Sequence, residues 1–241
     1  MIEITIPILN EEKTLDKQVR KAYYFIKNNM VDFGSIRIIL ADNGSTDSTP
    51  EIARLLTLEL AGVQYLRLEQ RGVGLALKAS WEQSNADIVG YMDLDLATDL
   101  RYLRPALDKL QADQADIITG SRLVKGAKVI GRSTLRDFTS RGFNLIIKII
   151  FQTSLSDGMC GFKFLKRSCL ENLLEAGAES DGWFFATEIL ITGEYLGYRV
   201  RDLAVEWTDD PESKVKIGKL AIEYLKAMRV LRSRLPNREK V

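Results

Sequence analysis

The stretch Ala41-Asp42-Asn43-Gly44-Ser45-Thr46-Asp47-Ser48-Thr49 follows the apolar run Ile36-Arg37-Ile38-Ile39-Leu40 and precedes Pro50-Glu51-Ile52-Ala53-Arg54. Three readings are open to it: the tip of a β-hairpin at Asn43-Gly44, a glycosylation acceptor at Asn43-Gly44-Ser45, or a ligand-binding turn between a strand and a helix. A hairpin needs a second strand. Pro50 instead suits the first position of a helix, and Leu55, Leu56 and Leu60 continue it. A glycosylation acceptor needs export, but the start of the chain, residues 1–12, has too short an apolar stretch, flanked by acids, for a signal peptide. The strand-to-helix turn remains, with Gly44 as the bend, Thr49 as the helix cap and Asp42 projecting a carboxylate into a crevice at the carboxyl end of a strand. A purely structural turn is the alternative.

Working outward, strands are expected at residues 2–9, 36–40, 63–68, 88–92 and 116–119, and helices at 11–29, 49–60, 74–84 and 100–111. Strand and helix alternate, which predicts an α/β chain with a doubly wound, mostly parallel sheet and ligands at the carboxyl ends of its strands. The second half is less regular: helices at about 135–151 and 186–196, an apolar stretch at 161–165, a strand at 199–205 and a basic, amphipathic C-terminal helix. No repeat or low-complexity linker divides the 241 residues, and one domain, 1–241, is expected.

Apolar residues make up 46% and charged residues 28%, with a formal net charge of +1, so neither disorder nor a general nucleic-acid-binding role is suggested. Basic charge is local. Residues 122–141 carry a net charge of +5 and residues 211–241 a net of +6. No apolar segment approaches the roughly 20 residues needed to span a bilayer. Cys160 and Cys169 are expected to be free and buried. The chain has no histidine, so its chemistry must use carboxylates, lysine, arginine, hydroxyls or a bound ion; with oxygen ligands alone that ion would be Mg2+ or Mn2+.

Gly72-Val73-Gly74-Leu75-Ala76-Leu77 has part of a dinucleotide fingerprint, but Leu77 occupies the third glycine position and the unit is the third of its kind, not the first. Tyr91-Met92-Asp93-Leu94-Asp95 is the sharper signal. Aspartate is depleted in strands, and two like charges this close resist joint ionisation unless a cation sits beside them. A divalent ion on these oxygens would bridge the phosphates of a nucleotide and absorb charge on a leaving diphosphate.

Together these residues resemble the nucleotide-sugar-dependent glycosyltransferases of family 2, with the glycosyltransferase-A fold. Pro7-Ile8-Leu9-Asn10-Glu11 is similar to the family's first-strand motif, Asp42-Asn43-Gly44-Ser45 to its base-binding turn and Asp93-Leu94-Asp95 to its Asp-x-Asp motif. Downstream, Gly120-Ser121-Arg122, Arg136 with Ser140, Asn144, Asp157 with Cys160-Gly161-Phe162-Lys163, Trp183-Phe184-Phe185 with Glu188, and Glu206-Trp207 with Ser213-Lys214 resemble the polyprenyl-phosphate sugar synthases. The resemblance covers about residues 1–216. It implies a nucleotide-sugar-binding half, 1–120, and an acceptor and membrane-facing half, 121–241.

The implied reaction is inverting transfer of a hexose from UDP-glucose or GDP-mannose to a polyprenyl or dolichyl phosphate. That acceptor is already ionised near neutral pH and requires no general base. Pro7, Asn10, Glu11, Asp42 and Arg71 would contact the nucleotide sugar, Asp93 and Asp95 the metal and diphosphate, and Lys214 the departing charge. Arg122, Arg136 and Ser140 would hold the lipid phosphate, the last two sharing a helix face at i and i+4. Asp93-Leu94-Asp95-Leu96-Ala97-Thr98 and Glu206-Trp207-Thr208 look more like the glucosyl branch. The expected location is cytoplasmic and peripheral to a membrane. Leu220, Tyr224, Leu225, Met228 and Leu231 would form a helix face lying on an anionic leaflet or packing on the protein's own core.

Val73, Ala97 and Ala186 depart from the family pattern, where a lysine, a metal-binding glutamine and an aspartate are common. Two rivals follow. One is a family 2 enzyme acting on a sugar hydroxyl, which needs a base such as Glu188 or Asp157; the other is a catalytically idle nucleotide-binding protein at the membrane. Asn43 stays open, since many relatives carry a second aspartate there.

Overall fold

The computed structural model describes residues 1–209 and 217–235. Its strands are β1 (Ile2–Ile8), β2 (Ile36–Asp42), β3 (Val63–Arg67), β4 (Ile88–Met92), β5 (Ile117–Ser121), β6 (Lys128–Ile130), β7 (Phe162–Lys166), β8 (Val200–Ala204) and β9 (Glu206–Thr208). Its helices are α1 (Leu15–Asn29), α2 (Thr49–Glu59), α3 (Val73–Glu82), α4 (Leu103–Gln111), α5 (Thr134–Phe151), α6 (Leu170–Glu175), α7 (Phe185–Tyr195) and α8 (Ile217–Arg234). The main sheet runs β3-β2-β1-β4-β7-β5-β8, and every neighbouring pair is parallel except those made by β7, which lies antiparallel to β4 and β5. A short parallel pair, β6 with β9, stands apart from it. The predicted doubly wound, mostly parallel architecture is the one observed.

Continuous apolar sequence in β4 follows from burial on both faces, whereas β1 alternates Ile with Glu3 and Thr5 although both polar residues are buried as well. One face of the sheet packs on α1, α2 and α4 through Leu15, Val19, Leu56, Leu103 and Leu107. The other packs on α3, α5, α7 and α8 through Trp81, Phe151, Phe185, Ile189 and Met228.

The crevice comes from strand register. β1 pairs with β4 from Ile2–Ile88 to Thr5–Tyr91, whereas it stays with β2 as far as Ile8–Asp42. Chain order also reverses between β1 and β4, because β2 and β3 lie to one side and the later strands to the other; an open α/β sheet binds ligands at such a point. Pro7 lies past the last β1–β4 pair, where its missing N–H removes no bond to β4.

Several expectations need correction. The first helix begins at Leu15 rather than Glu11, because Glu11 to Thr14 form a turn in which the Thr14 and Leu15 N–H groups donate to the Glu11 carbonyl. Thr49 is not the cap of α2: Ser48 holds that position, the Thr49 N–H donates to the Asp47 carboxylate, and the Thr49 hydroxyl accepts from the Glu11 N–H at 2.7 Å. On α8, Tyr224, Met228 and Leu231 are buried, and the Tyr224 ring meets Phe143 and Phe184 edge to face at 5.2 Å. That part of the helix face therefore packs on the protein's own core, one of the two readings left open for it; Leu225 is exposed, and the Leu220 side chain lies outside what the structure describes. Both cysteines are free and buried, as expected, and burial pushes the Cys160 thiol up to about 12. No helix among the described residues is long and apolar enough to cross a membrane.

Candidate active site

The turn after β2 is fastened from two sides. Asp42 is fully buried and accepts from the Ser45 N–H at 2.9 Å, the Tyr65 hydroxyl at 2.7 Å and the Arg67 guanidinium at 2.8 Å. Burial alone would raise its pKa, but these donors hold it below the ordinary value. On the other side, the Asn10 N–H donates to the Ser45 hydroxyl and the Asn10 side-chain Oδ1 accepts from the Thr46 N–H, each at 2.9 Å. Asn10 has φ 54°, a left-handed conformation that asparagine tolerates, and it carries the chain from β1 towards α1 beside the turn. Asn10 and Glu11 thus brace the turn through backbone and side chain. Asn43 is buried too; its N–H donates to the Ile8 carbonyl, while its own Oδ1 has no partner among the described residues.

Asp93 and Asp95 stand at the end of β4, across the crevice. The Asp93 N–H donates to the Gly161 carbonyl at 3.1 Å, and the Asp93 carboxylate fills the space where a Cβ on Gly161 would be, so only glycine fits there. Burial first, and then the charge of Asp95, raise the Asp93 pKa to about 7, against the opposing pull of Lys163 and Arg122. Leu96 has φ 52°, which is strained for a bulky side chain, and its N–H closes a tight turn onto the Asp93 carbonyl. The exposed Asp95 accepts from the Ala97 N–H at 3.0 Å. Two oxygen donors that repel one another suit Mg2+ or Mn2+, which take few protein ligands and complete their shells with water and phosphate oxygens. No group of three or more candidate ligands forms among the described residues. The two carboxylates would hold such an ion and leave the rest of its shell to other oxygen donors.

Beside Asp93 lies a cationic wall. Arg122 forms a two-pronged pair with Asp157, at 2.7 and 2.9 Å, and its guanidinium lies 4.8 Å from the centre of the Trp207 ring. Burial would raise the Asp157 pKa, but Arg122 holds it below the usual range. Lys163 is wholly buried in β7, donates to the Cys160 carbonyl at 2.5 Å and acts on Asp93 through its charge. Arg136 pairs with Asp209 at 2.8 Å. One turn further along α5, Ser140 is buried, and its hydroxyl has no partner among the described residues. Lys214 lies outside the described residues.

The start of α3 is closed by the protein itself. The Gly74 and Leu75 N–H groups donate to the Gly182 and Asp181 carbonyls at 3.2 Å, and a Cβ at Gly72 or Gly74 would strike the backbone of residues 180–181. These donors face a loop, so the glycine pair serves close packing and leaves no dinucleotide-type phosphate cradle. Glu188 secures that loop by accepting from the Ser180 N–H at 2.8 Å and its hydroxyl at 2.5 Å. Arg71, just before the helix, is exposed. Ala97 and Ala186 are both buried, Ala186 within α7.

Sequence reasoning did not single out Tyr65, Arg67 or Arg132 for this region. Arg67 pairs laterally with Asp42 across β2 and β3, and strand register could have revealed it. Arg132 lies four residues before Arg136, within the basic segment already noted.

The glycosyl transferase family 2 pattern matches residues 3–174. The glycosyltransferase AglD of Haloferax volcanii is 30% identical over 90% of this chain, which spans only 34% of that protein's length. A dolichyl-phosphate beta-glucosyltransferase of Dictyostelium discoideum is 28% identical, with 93% of this chain and 72% of that one covered. Among solved structures, glucosyl-3-phosphoglycerate synthase of Mycobacterium tuberculosis in complex with Mn2+ and UDP-glucose superposes with a TM-score of 0.67 at 18% identity, covering 99% of this chain and 80% of that one. The chain belongs to glycosyl transferase family 2 and has the glycosyltransferase-A fold.

Proposed function

We propose that this protein transfers a hexose, glucose in preference to mannose, from a nucleotide sugar to a polyprenyl phosphate of the dolichyl type, with inversion, at a membrane surface. One observation carries the choice of acceptor. The carboxylates that a sugar-hydroxyl acceptor would need as base, Glu188 and Asp157, are held by Ser180 and by Arg122. A phosphate monoester needs no base, and the side of the crevice beyond Asp93 offers arginines and an unpartnered serine hydroxyl instead. Relatives named as dolichyl-phosphate beta-glucosyltransferases support the same reading.

In this scheme the turn at 42–45 receives the base, with Asn43 Oδ1 as the acceptor left over once Asp42 is saturated. Arg71 reaches the diphosphate, and Asp93 with Asp95 would hold the divalent ion. Such an ion, present as Mn2+ or Mg2+ in the structural relatives, would supply positive charge for the leaving nucleoside diphosphate. Arg136, Ser140 and the Arg122–Asp157 pair orient the acceptor phosphate for in-line attack on the anomeric carbon. Lys214 contributes a further cation at the diphosphate. Membrane association is supported by α5, whose Phe138, Leu145, Ile146 and Ile149 are exposed on one side beside Arg141 and Lys148.

Incubating the protein and Mn2+ with radiolabelled UDP-glucose or GDP-mannose and dolichyl phosphate, then extracting the lipid, tests the scheme. A labelled, β-linked lipid product that disappears with Asp95→Ala is expected. Undiminished transfer by that variant would sink the metal assignment, and label passing only to sugar hydroxyls would sink the acceptor.

A further inference from the structure

We infer that Arg132 is an additional residue that receives the phosphate of the lipid acceptor, an inference that rests on the polyprenyl-phosphate reading above. Three guanidinium groups gather near the first turns of α5. Arg122 has Asp157 and Arg136 has Asp209, but no carboxylate among the described residues pairs with Arg132. Its Nη2 donates to the Arg136 carbonyl at 3.3 Å, while Nε and Nη1 are buried with no hydrogen-bond partner among the described residues. Burial first, and then the charge of Arg122, disfavour its charged form more than the charges of Asp157, Asp209 and Asp137 favour it.

Folded proteins rarely leave a buried charge in this condition, because each unmatched donor keeps its full desolvation penalty. The Ser140 hydroxyl, 2% exposed, is unpartnered too. Ser140 lies one turn beyond Arg136 on α5, and its neighbour Asn144 accepts from the Gly158 N–H, next to Asp157. These orphaned donors therefore share one neighbourhood whose other strong charges are paired. An anion with several acceptor oxygens satisfies them together, and a phosphate monoester presents three.

Position decides between the two phosphates of the reaction. The turn proposed to receive the base follows β2, on one flank of β4; Arg132 follows β6, whose partner β9 continues the chain just after β8 on the other flank. It also immediately precedes Ser133, the cap of α5, the helix with the exposed apolar side. The acceptor's phosphate, with its hydrocarbon tail, fits that flank.

Citronellyl phosphate, a water-soluble isoprenoid phosphate monoester, is the probe, and Arg132→Gln and Arg132→Lys are the variants. Without ligand, Arg132→Gln should melt at the wild-type temperature or above it, because a buried unmatched charge has been removed. It should lose the upward melting shift that citronellyl phosphate gives the wild type. Its KM for that phosphate should rise about tenfold or more, while KM for the nucleotide sugar stays within about twofold. Arg132→Lys, which keeps the charge but not the fork, should fall between the two.

A lowered melting temperature with unchanged KM values would make Arg132 structural and overturn the inference. A rise in the nucleotide-sugar KM alone would assign it to the donor's diphosphate and also overturn it. Equal transfer by wild type and Arg132→Gln would defeat the inference and leave the function standing. Binding of citronellyl phosphate that depends on Arg132, with no hexose ever transferred, would uphold the anion site and defeat the proposed function.

Discussion

Asp93 is held where its charge is unwelcome, and this has a thermodynamic signature. Its pKa rises from 3.8 to about 7 on folding, through burial first and Asp95 second. Between those values the folded chain keeps a proton that the unfolded chain has released, so stability falls as pH rises through the window. Metal-free Asp93→Asn should therefore be more stable than wild type at pH 8, by on the order of 2 kcal/mol, although its transfer activity is lost. The gap should narrow as the pH falls from 7 towards 4. Urea unfolding in a chelator at pH 8 and pH 4.5 measures it, and a variant less stable at pH 8 would show that the site does not resist the charge. Asp42, Asp93 and Asp95 were legible in the sequence because acids at the ends of apolar strands are out of place there. Arg67 and Tyr65 were not, since they reach Asp42 across strand register, and Arg132 was hidden because its lack of a partner is a property of three dimensions.

The beginning of α3 and the root of β5 show how elements are fixed. If Gly74 serves packing, Gly74→Ala should push a Cβ into the Ser180 carbonyl and the Phe185 side chain, lowering stability by about 1–3 kcal/mol. Thermal unfolding checks this, and a variant of full stability with impaired nucleotide binding would restore the phosphate-cradle reading. At the root of β5, Asp116 accepts from the Arg199 side chain at 2.7 and 2.9 Å, the Arg199 N–H at 3.0 Å and Lys166 at 2.9 Å. It thereby ties β5 to the end of β7 and the start of β8. Hydrogen bonds from Arg199, and then from Lys166, hold its pKa far below the carboxylate range despite some burial. Asp116→Ala should cost about 2–3 kcal/mol at pH 7. That loss should persist wherever the unfolded aspartate is ionised and fade as the pH falls below about 4; denaturant melts at pH 7 and pH 3.5 compare the two. The alternating first half was readable because each strand and helix carries its own periodicity. The direction of β7 was not, because an apolar stretch reads the same both ways, and β6 and β9 are only three residues each, too short for a period.

Across the whole molecule, the sheet separates the Asp42 turn on the flank beyond β1 from a cationic flank beyond β4, and α5 gives the cationic flank an apolar exterior. The sequence pattern left the apolar face of the C-terminal helix open between an anionic leaflet and the protein's own core, and Tyr224, Met228 and Leu231 of α8 are buried against the core while Leu225 is exposed. Periodicity shows that a helix has an apolar face; it does not show what covers that face. On α5 the opposite holds. Ile147 and Phe151 face the core, while Phe138, 76% exposed, and Ile149, 69% exposed, lie with Leu145 and Ile146 on the outer side. Arg141 and Lys148 flank them, and Lys226 and Arg229 are exposed on α8, which packs beside α5. An apolar strip with basic borders matches the charge of an anionic leaflet. Such docking would set the unpaired donors of Arg132 and Ser140 near the depth of a lipid's phosphate. Phe138→Ser with Ile149→Ser should therefore weaken cosedimentation with phosphatidylserine vesicles about tenfold or more, given the transfer energy of two large apolar side chains. Transfer to dolichyl phosphate embedded in those vesicles should fall in parallel, while transfer to citronellyl phosphate in solution stays unchanged. Equal vesicle binding by the double variant and wild type would remove α5 from the membrane interface.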